Sequence, residues 1–350
     1  MPSHTITVEP LGAQVSCRED QTILDACLRE GIWLPHACTH GTCGTCKAVV
    51  LDGEVDFGDA SPYALLDSER DQGAVLICVA TPEADTVIEG EVDVEDGVDV
   101  HPVRDYTGAV TTLDDVAPDV RRVVIALDRP LAFNAGQYVQ LQLPSGETRP
   151  YSVASAPSDG SRIELHVKRT PGGAASDGWI FKELAVGDSI RLSGPYGRFS
   201  FRSARDEPIL LLGSGTGLAP LKAILCHLAE CDDPPQTVLY HGVRTRADLY
   251  EHDWLTAFAA QHEWFTYRPA LSQDTWDGRT GRVPALVAQD YPKAGGHVAY
   301  ICGSPDMVDD TMKALMRARL FPKDIYREHF FDAADRASGR HVVRSPLIRR

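Results

Sequence analysis

The 350-residue chain is long enough for two or three domains, and its 43% hydrophobic and 24% charged residues are an ordinary globular balance. No apolar run reaches about 18 residues, so no transmembrane helix is expected. The first nine residues alternate polar and apolar with no signal-peptide core, so the expected compartment is the cytoplasm. A net charge of −16 disfavours the basic surface that nucleic-acid phosphates require.

That charge is unevenly spread. Residues 1–98 hold 19 Asp and Glu against 4 Lys and Arg, a balance of −15, whereas residues 99–350 hold 31 against 30. Two readings stay open: a solvated acidic surface that aids solubility, or an acidic docking face for a basic partner.

In chain order, residues 4–9 and 13–17 alternate as strands do. Residues 20–30 read as a helix, with Ile23, Leu24, Cys27 and Leu28 on one face and Gly31 placed to stop it. Cys27 and Cys17 are expected in the core. The run Cys38-Thr39-His40-Gly41-Thr42-Cys43-Gly44-Thr45-Cys46 follows, with Cys78 after 31 intervening residues. C-x4-C-x2-C with one distant cysteine is the ligand spacing of a plant-type [2Fe–2S] cluster. Gly41, Thr42, Gly44 and Thr45 are small enough to let backbone N–H groups approach the sulfurs. A structural zinc site is one alternative, although zinc usually shows two C-x2-C knuckles or a cysteine–histidine mix. A disulfide is the other, although nine cysteines in a cytoplasmic chain read as ligands or buried thiols. Strands at 47–51 and 75–80, the second carrying Cys78, and a turn at Asp52-Gly53 complete a small α+β domain.

Residues 91–104 are acidic, contain Gly97 and Pro102, and read as a linker. From 106 the pattern is β-rich, with strands expected at 106–113, 121–127, 137–143, 151–154, 162–168 and 189–193 and a helical stretch near 174–184. Close antiparallel strands suggest a barrel or sandwich. At 207 the pattern changes to apolar strands alternating with helices: strands 209–212, 238–241, 264–269 and 298–302, and helices 218–229, 253–261 and 306–318. This is the signature of a doubly wound parallel sheet. The end of the chain, 336–350, is polar and arginine-rich.

Four further motifs carry chemistry. Arg149-Pro150-Tyr151-Ser152 offers a guanidinium fork for a pyrophosphate and a tyrosine that can stack on a flat ring. Gly172-Gly173-Ala174-Ala175-Ser176 opens a helix and provides a second anion site. Gly213-Ser214-Gly215-Thr216-Gly217-Leu218-Ala219-Pro220 follows a buried strand, but Leu218 breaks the G-x-G-x-x-G spacing of the usual dinucleotide fingerprint. Cys302-Gly303 also stands at a strand end, where doubly wound sheets bind ligands.

Taken together and in this order, these motifs resemble the ferredoxin–NAD(P)H reductase superfamily with an N-terminal plant-type ferredoxin domain. The likeness is strongest to reductase components of bacterial multicomponent diiron monooxygenases, phenol hydroxylase reductases above all. It is carried also by Trp33-Leu34-Pro35-His36-Ala37-Cys38, Asp52-Gly53-Glu54-Val55-Asp56, Ala60-Ser61-Pro62-Tyr63-Ala64-Leu65 and Arg319-Leu320-Phe321-Pro322-Lys323-Asp324-Ile325. The resemblance implies three parts: a β-grasp ferredoxin domain at 1–95, an antiparallel β-barrel FAD domain at 103–205 and an α/β NAD domain at 206–335, followed by a basic tail at 336–350.

It also implies roles. Cys38, Cys43, Cys46 and Cys78 would hold the cluster. Arg149 would hold the FAD pyrophosphate, Tyr151 would pack on the isoalloxazine and Ser152 would approach its N5, while Gly173, Ala174 and Ser176 would make the phosphate turn. His166, Lys168 and Phe330 join the cofactor-binding set. Gly213, Gly215, Thr216, Gly217 and Gly303 would serve the nicotinamide dinucleotide, and Ser152, Cys302 and Glu328 the reaction itself. The expected activity carries electrons from NADH (NADPH being possible) through FAD and the cluster to a separate oxygenase, docked on the acidic first domain. A Rieske ring-hydroxylating dioxygenase or a deoxysugar dehydratase is the alternative client, and a non-enzymatic electron carrier or redox sensor the alternative class.

Overall fold

A computed structural model describes residues 2–91 and 97–331; the expected tail at 336–350 lies outside them. The chain forms two compact units. One is N-terminal and also takes in Val100–Arg104; the other comprises Gly97–Asp99 and Asp105–Phe330.

The N-terminal unit contains β1 (Ser3–Glu9), β2 (Ala13–Arg18), α1 (Ile23–Arg29), β3 (Lys47–Asp52), β4 (Val55–Asp56), α2 (Asp67–Arg70), β5 (Ala74–Leu76), β6 (Thr81–Pro82) and β7 (Thr86–Glu89). Five of its strands form one mixed sheet in the order β2-β1-β7-β3-β5. The period-2 alternation of β1 drives Ile6 and Val8 inward, both fully buried. The Thr22 hydroxyl caps α1 by accepting the Asp25 N–H at 3.3 Å. Glu30 and then Gly31, at φ +76, end it. Cys17 and Cys27 are core thiols as expected, both pushed up to about 12 by burial.

One expectation is corrected. The strand predicted at 75–80 ends at Leu76, and Cys78 lies in a turn where the N–H groups of Val79 and Ala80 both donate to the Leu76 carbonyl. The apolar run Val75, Leu76, Ile77 imitates a longer strand because all three are buried, whether or not they are paired.

The second unit opens with β8 (Arg104–Ala117), β9 (Val120–Leu127), β10 (Tyr138–Gln142), β11 (Thr148–Ser152), β12 (Arg162–Lys168) and β13 (Ser189–Tyr196). These six run in the order β11-β10-β13-β8-β9-β12, and a bridge between Val153 and Leu165 joins the two edge strands. The sheet therefore closes into a barrel, filled by Val123, Ile125, Val139, Leu141, Ile163 and Leu165. The helix predicted at 174–184 is a shorter, wider turn, Ala174–Ile180, in which the Phe181 N–H reaches back five residues to the Ser176 carbonyl.

The rest of the unit is a wound α/β layer: β14 (Ile209–Ser214), α3 (Leu218–Leu228), β15 (Thr237–Val243), α4 (His252–Gln261), β16 (Phe265–Leu271), β17 (Arg279–Thr280), α5 (Val283–Asp290), β18 (Val298–Gly303), α6 (Pro305–Arg317) and β19 (Ile325–His329). All strands are parallel, in the order β17-β16-β15-β14-β18-β19. Successive residues of β14 enter different cores: Ile209 and Leu211 pack on one face, Leu210 and Leu212 on the other. This explains why β14 reads as an unbroken apolar run. The strand order reverses between β14 and β18, so their carboxyl ends mark the switch point where such sheets take ligands. Among the described residues no helix is long and apolar enough to cross a membrane.

Candidate functional site

The loop 38–46 is shaped by backbone torsions. Thr39, Gly41 and Gly44 all have positive φ, at +56, +75 and +76, so the chain coils around a centre rather than extending. A Cβ on Gly41 would lie 3.1 Å from the Asp59 carbonyl and from Val79, and the Gly41 carbonyl accepts the Ser61 N–H at 3.0 Å. The loop is thus sealed by 58–66 and by the turn that carries Cys78.

Cys43, Cys46 and Cys78 are buried and Cys38 is half-buried, all as free thiols. Their contacts form an open chain: Cys38 touches Cys43 and Cys78, and Cys78 touches Cys46. A tetrahedron around one zinc with bonds of about 2.3 Å would have sulfurs about 3.8 Å apart on every edge. Among the described residues, the one set of three or more metal-type ligand atoms mutually within 4.8 Å lies elsewhere, at Glu164, His166 and Glu251. The four sulfurs converge between the loop and the Cys78 turn, and four thiolates at C-x4-C-x2-C spacing with one distant partner fit a two-iron group.

On β11, Arg149 and Tyr151 share one face and Ser152 the other. Arg149 pairs with Glu147 at 2.9 Å, both partly open to solvent. Burial raises the Tyr151 phenol well above its ordinary range. The Ser152 hydroxyl donates to Glu328 Oε2 at 3.2 Å. Glu328 lies on β19 directly opposite Cys302 of β18, which in turn lies opposite Gly213 of β14. Ser152, Glu328, Cys302 and the glycine turn, distant in sequence, are thus gathered at the switch point. Glu328 keeps some accessible surface, yet protein encloses it closely enough that burial pushes its carboxyl up to about 8 against the opposing Ser152 hydrogen bond. Burial and the neighbouring Glu328 raise the Cys302 thiol, which stays neutral.

The glycines of the turn are sterically required. A Cβ on Gly217 would stand 2.2 Å from the Cys302 carbonyl oxygen, and one on Gly303 2.3 Å from Ser214 Oγ. Gly215 has φ +53, and Thr216 is buried. Phe330 donates its N–H to the Gly303 carbonyl at 2.8 Å and packs on the adjoining core. In the turn before Ala174–Ile180, Ser176 Oγ accepts the Thr170 N–H at 3.0 Å and Asp177 accepts that of Gly172 at 3.1 Å. The Ser176 hydroxyl proton is left to give elsewhere.

His166 and Lys168 part company. Lys168 is exposed at the end of β12. The His166 ring is buried and bonded to Glu164 and Tyr250, so its side chain faces a charged cluster and not an open surface. The Glu164–His166–Glu251 set invites a metal, but the Lys222 ammonium already lies 2.7 Å from Glu164 and 3.2 Å from Glu251. Lys222, Tyr250 and Glu251 were not legible in the sequence, where nothing distinguishes them from surface residues of helices and loops. Arg244 and Arg246, beyond β15, are exposed.

Comparison with known proteins agrees with this layout. Residues 6–83 match the model of a 2Fe-2S iron-sulfur cluster binding domain, 107–201 that of an oxidoreductase FAD-binding domain and 211–313 that of an oxidoreductase NAD-binding domain. The chain is 45% identical to the reductase component of phenol 2-monooxygenase from Pseudomonas sp. (strain CF600), covering 99% of each. It is 42% identical to the reductase subunit of an aromatic O-demethylase from Amycolatopsis sp. (strain ATCC 39116 / 75iv2), covering 94% of this chain and 100% of that one. The crystal structure of an Amycolatopsis cytochrome P450 reductase matches with a TM-score of 0.87 at 42% identity, over 94% of this chain and 99% of that one. The cofactor set is therefore a [2Fe–2S] cluster, FAD and a nicotinamide dinucleotide.

The state of Glu328 has a measurable consequence. Its carboxyl titrates near 8 in the fold and at 4.5 as a free side chain. Between those values the folded chain holds more protons than the unfolded one, so stability falls as pH rises through this window. Glu328→Gln is expected to remove roughly 1–3 kcal/mol of that loss, one pKa unit being worth about 1.4 kcal/mol and residual solvent contact discounting the full span. Denaturation curves at pH 5 and pH 8 check this; equal slopes in the variant and the parent would contradict it.

Proposed function

This chain belongs to the NAD(P)H-dependent flavin iron–sulfur reductases that pass electrons to a separate oxygenase, and on that premise we propose how its residues divide the work. Nicotinamide supplies a hydride, flavin turns the pair into single electrons, and the cluster carries them one at a time. NADH would enter at residues 213–217, with Gly303 and Cys302 lining the same strand ends. Ser152 and Glu328 would hold a proton between Oγ and Oε2 beside the flavin ring, and Tyr151 would cover that ring. Arg149 would leave Glu147 for the flavin pyrophosphate, an exchange that costs little because an exposed ion pair is worth only ~0–1 kcal/mol, with the 172–176 turn as the second anion contact. The observation that carries this reading is the Ser152–Glu328 hydrogen bond at the strand ends that also bear the glycine turn. The working division into 1–95, 103–205 and 206–335, in the cytoplasm, goes with it.

We propose that the acidic N-terminal unit is the docking module. Beside the cysteine loop it exposes Tyr63 and Leu66, at 49% and 43% of their surface, along with the exposed carboxylates of Asp56, Asp59, Asp67 and Asp71. An apolar contact rimmed by acid suits a basic-rimmed oxygenase. An aromatic hydroxylase of the phenol type is the proposed client. An electron carrier without nicotinamide turnover is the weaker reading, since the tight packing of Gly217 on Cys302 serves no purpose in it.

Three measurements test this. Cys46→Ser is expected to abolish the cluster's visible absorbance while FAD stays bound and is still bleached by NADH; full oxygenase turnover by that variant would break the proposed path. Flavin bleaching should favour NADH over NADPH at least tenfold in kcat/KM, and the reverse preference would overturn the coenzyme assignment and point to Arg244 and Arg246. Docking through opposite charges should make reduction of the oxygenase slow several-fold between about 0.05 and 0.5 M salt. A rate independent of salt would remove the acidic face from the account.

A further inference from the structure

The buried cluster behind the glycine turn reaches the turn itself. Gly215, at the positive-φ corner, turns its carbonyl into the protein, where His241 Nε2 lies at 3.2 Å and the Tyr250 hydroxyl at 3.4 Å. The Tyr250 hydroxyl also lies 3.2 Å from His166 Nδ1, and its ring meets the rings of both histidines edge-on, at 5.1 and 5.4 Å. His166 Nε2 meets Glu164 Oε1 at 2.7 Å, and Lys222 reaches the same oxygen at 2.7 Å. Lys222 continues to Glu251, which Arg122 reaches from β9. One continuous polar chain therefore runs from barrel strands β9 and β12 to the backbone of the glycine turn.

We propose that Tyr250 and His241 are positioning residues for the dinucleotide, acting by fixing the Gly215–Thr216 peptide. A trans peptide points its C=O and N–H in opposite directions. Anchoring the Gly215 oxygen inward aims the Thr216 N–H outward, at the start of the turn that leads into α3, where N–H groups have no partner within the helix and attract anions. Gly215 can adopt many conformations; the His241 N–H on its carbonyl, with the Tyr250 hydroxyl shared between that carbonyl and His166, narrows them.

Hydrogen-bond chemistry fixes the roles. Carbonyl oxygen only accepts, so His241 carries its proton on Nε2. That leaves Nδ1 buried with no hydrogen-bond partner. Burial favours this neutral form and pulls the imidazole down to about 4. An apolar side chain would pack there without the unpaired nitrogen, so the contact with Gly215 is what the histidine adds. Glu164 takes the Nε2 proton of His166, whose bare Nδ1 then competes with Gly215 for the single Tyr250 proton. Tyr250 thereby links the coenzyme turn to the barrel.

This inference rests on the reading of 213–217 as the dinucleotide site. Tyr250→Phe keeps the ring and both edge contacts and deletes one hydroxyl. With NAD+ titrated calorimetrically into the holoenzyme, its Kd is expected to rise about three- to tenfold, the range of one neutral hydrogen bond. KM for NADH in ferricyanide reduction should rise in parallel, with flavin and cluster spectra as in the parent. His241→Ala should act alike, and His241→Gln, whose amide can donate to the same carbonyl, should restore much of the affinity. An unchanged Kd in both Tyr250→Phe and His241→Ala overturns the proposal, as does loss of FAD with the Kd for NAD+ intact. If the parent holoenzyme neither binds NAD+ nor is bleached by NADH, the dinucleotide reading itself fails and takes this inference with it.

Discussion

The second unit depends on the close approach of two strand ends. Gly217, at the start of α3, rests so near the Cys302 carbonyl that a single methyl would collide with it. This contact brings the turn after β14 against the end of β18, and the pairing of β18 with β19 then carries Glu328 to within a hydrogen bond of Ser152 on the barrel. Parallel strands alone would leave a crevice at the switch point. The absence of side chains at 217 and 303 narrows it to one in which backbone lines the wall. A turn built this way gains close approach but loses conformational restraint, and the His241 and Tyr250 contacts with Gly215 supply what glycine cannot.

Much of this was legible in the sequence, for identifiable reasons. The cysteine spacing marks the cluster because four thiolates at fixed separations have few other uses. The run 209–212 marks a strand buried on both faces because neither face tolerates a polar side chain. Gly31 marks a helix end because few other residues adopt its φ. The failures are equally physical. The run 75–80 reads as a strand carrying Cys78 because buried apolar residues look alike whether they pair or turn. Ile325–His329 does not read as a strand because an edge strand in a parallel sheet alternates imperfectly and here bears Arg327 and Glu328. The stretch after Gly173 reads as a longer helix than it forms, since a wide turn and an α-helix share their composition. The surroundings of His166 are not legible in the sequence, because its partner Glu164 and the Lys222 and Tyr250 that join them come from separate segments and leave no local pattern.

The buried charge cluster also shows why ligand-type residues in proximity do not make a metal site. Two carboxylates and an imidazole within 4.8 Å satisfy the geometry, yet Lys222 supplies the compensating positive charge as part of the chain. A buried group of this kind must be neutralised by something, and an ammonium on α3 does so without depending on metal supply. It also joins the helix that follows the glycine turn to the barrel strand that bears Glu164 and His166.

Under the docking proposed above, the division of charge would serve more than solubility. A nicotinamide dinucleotide is itself an anion, and the protein that would receive electrons is sought here through attraction to acid. Confining the excess of −15 to residues 1–98 and leaving 99–350 close to neutral separates these demands. Within a single field of uniform sign, whatever drew in a cationic protein would push away the fuel. Under the docking proposed above, acid kept in one stretch of the chain and near-neutrality in the rest would let each meet its own demand.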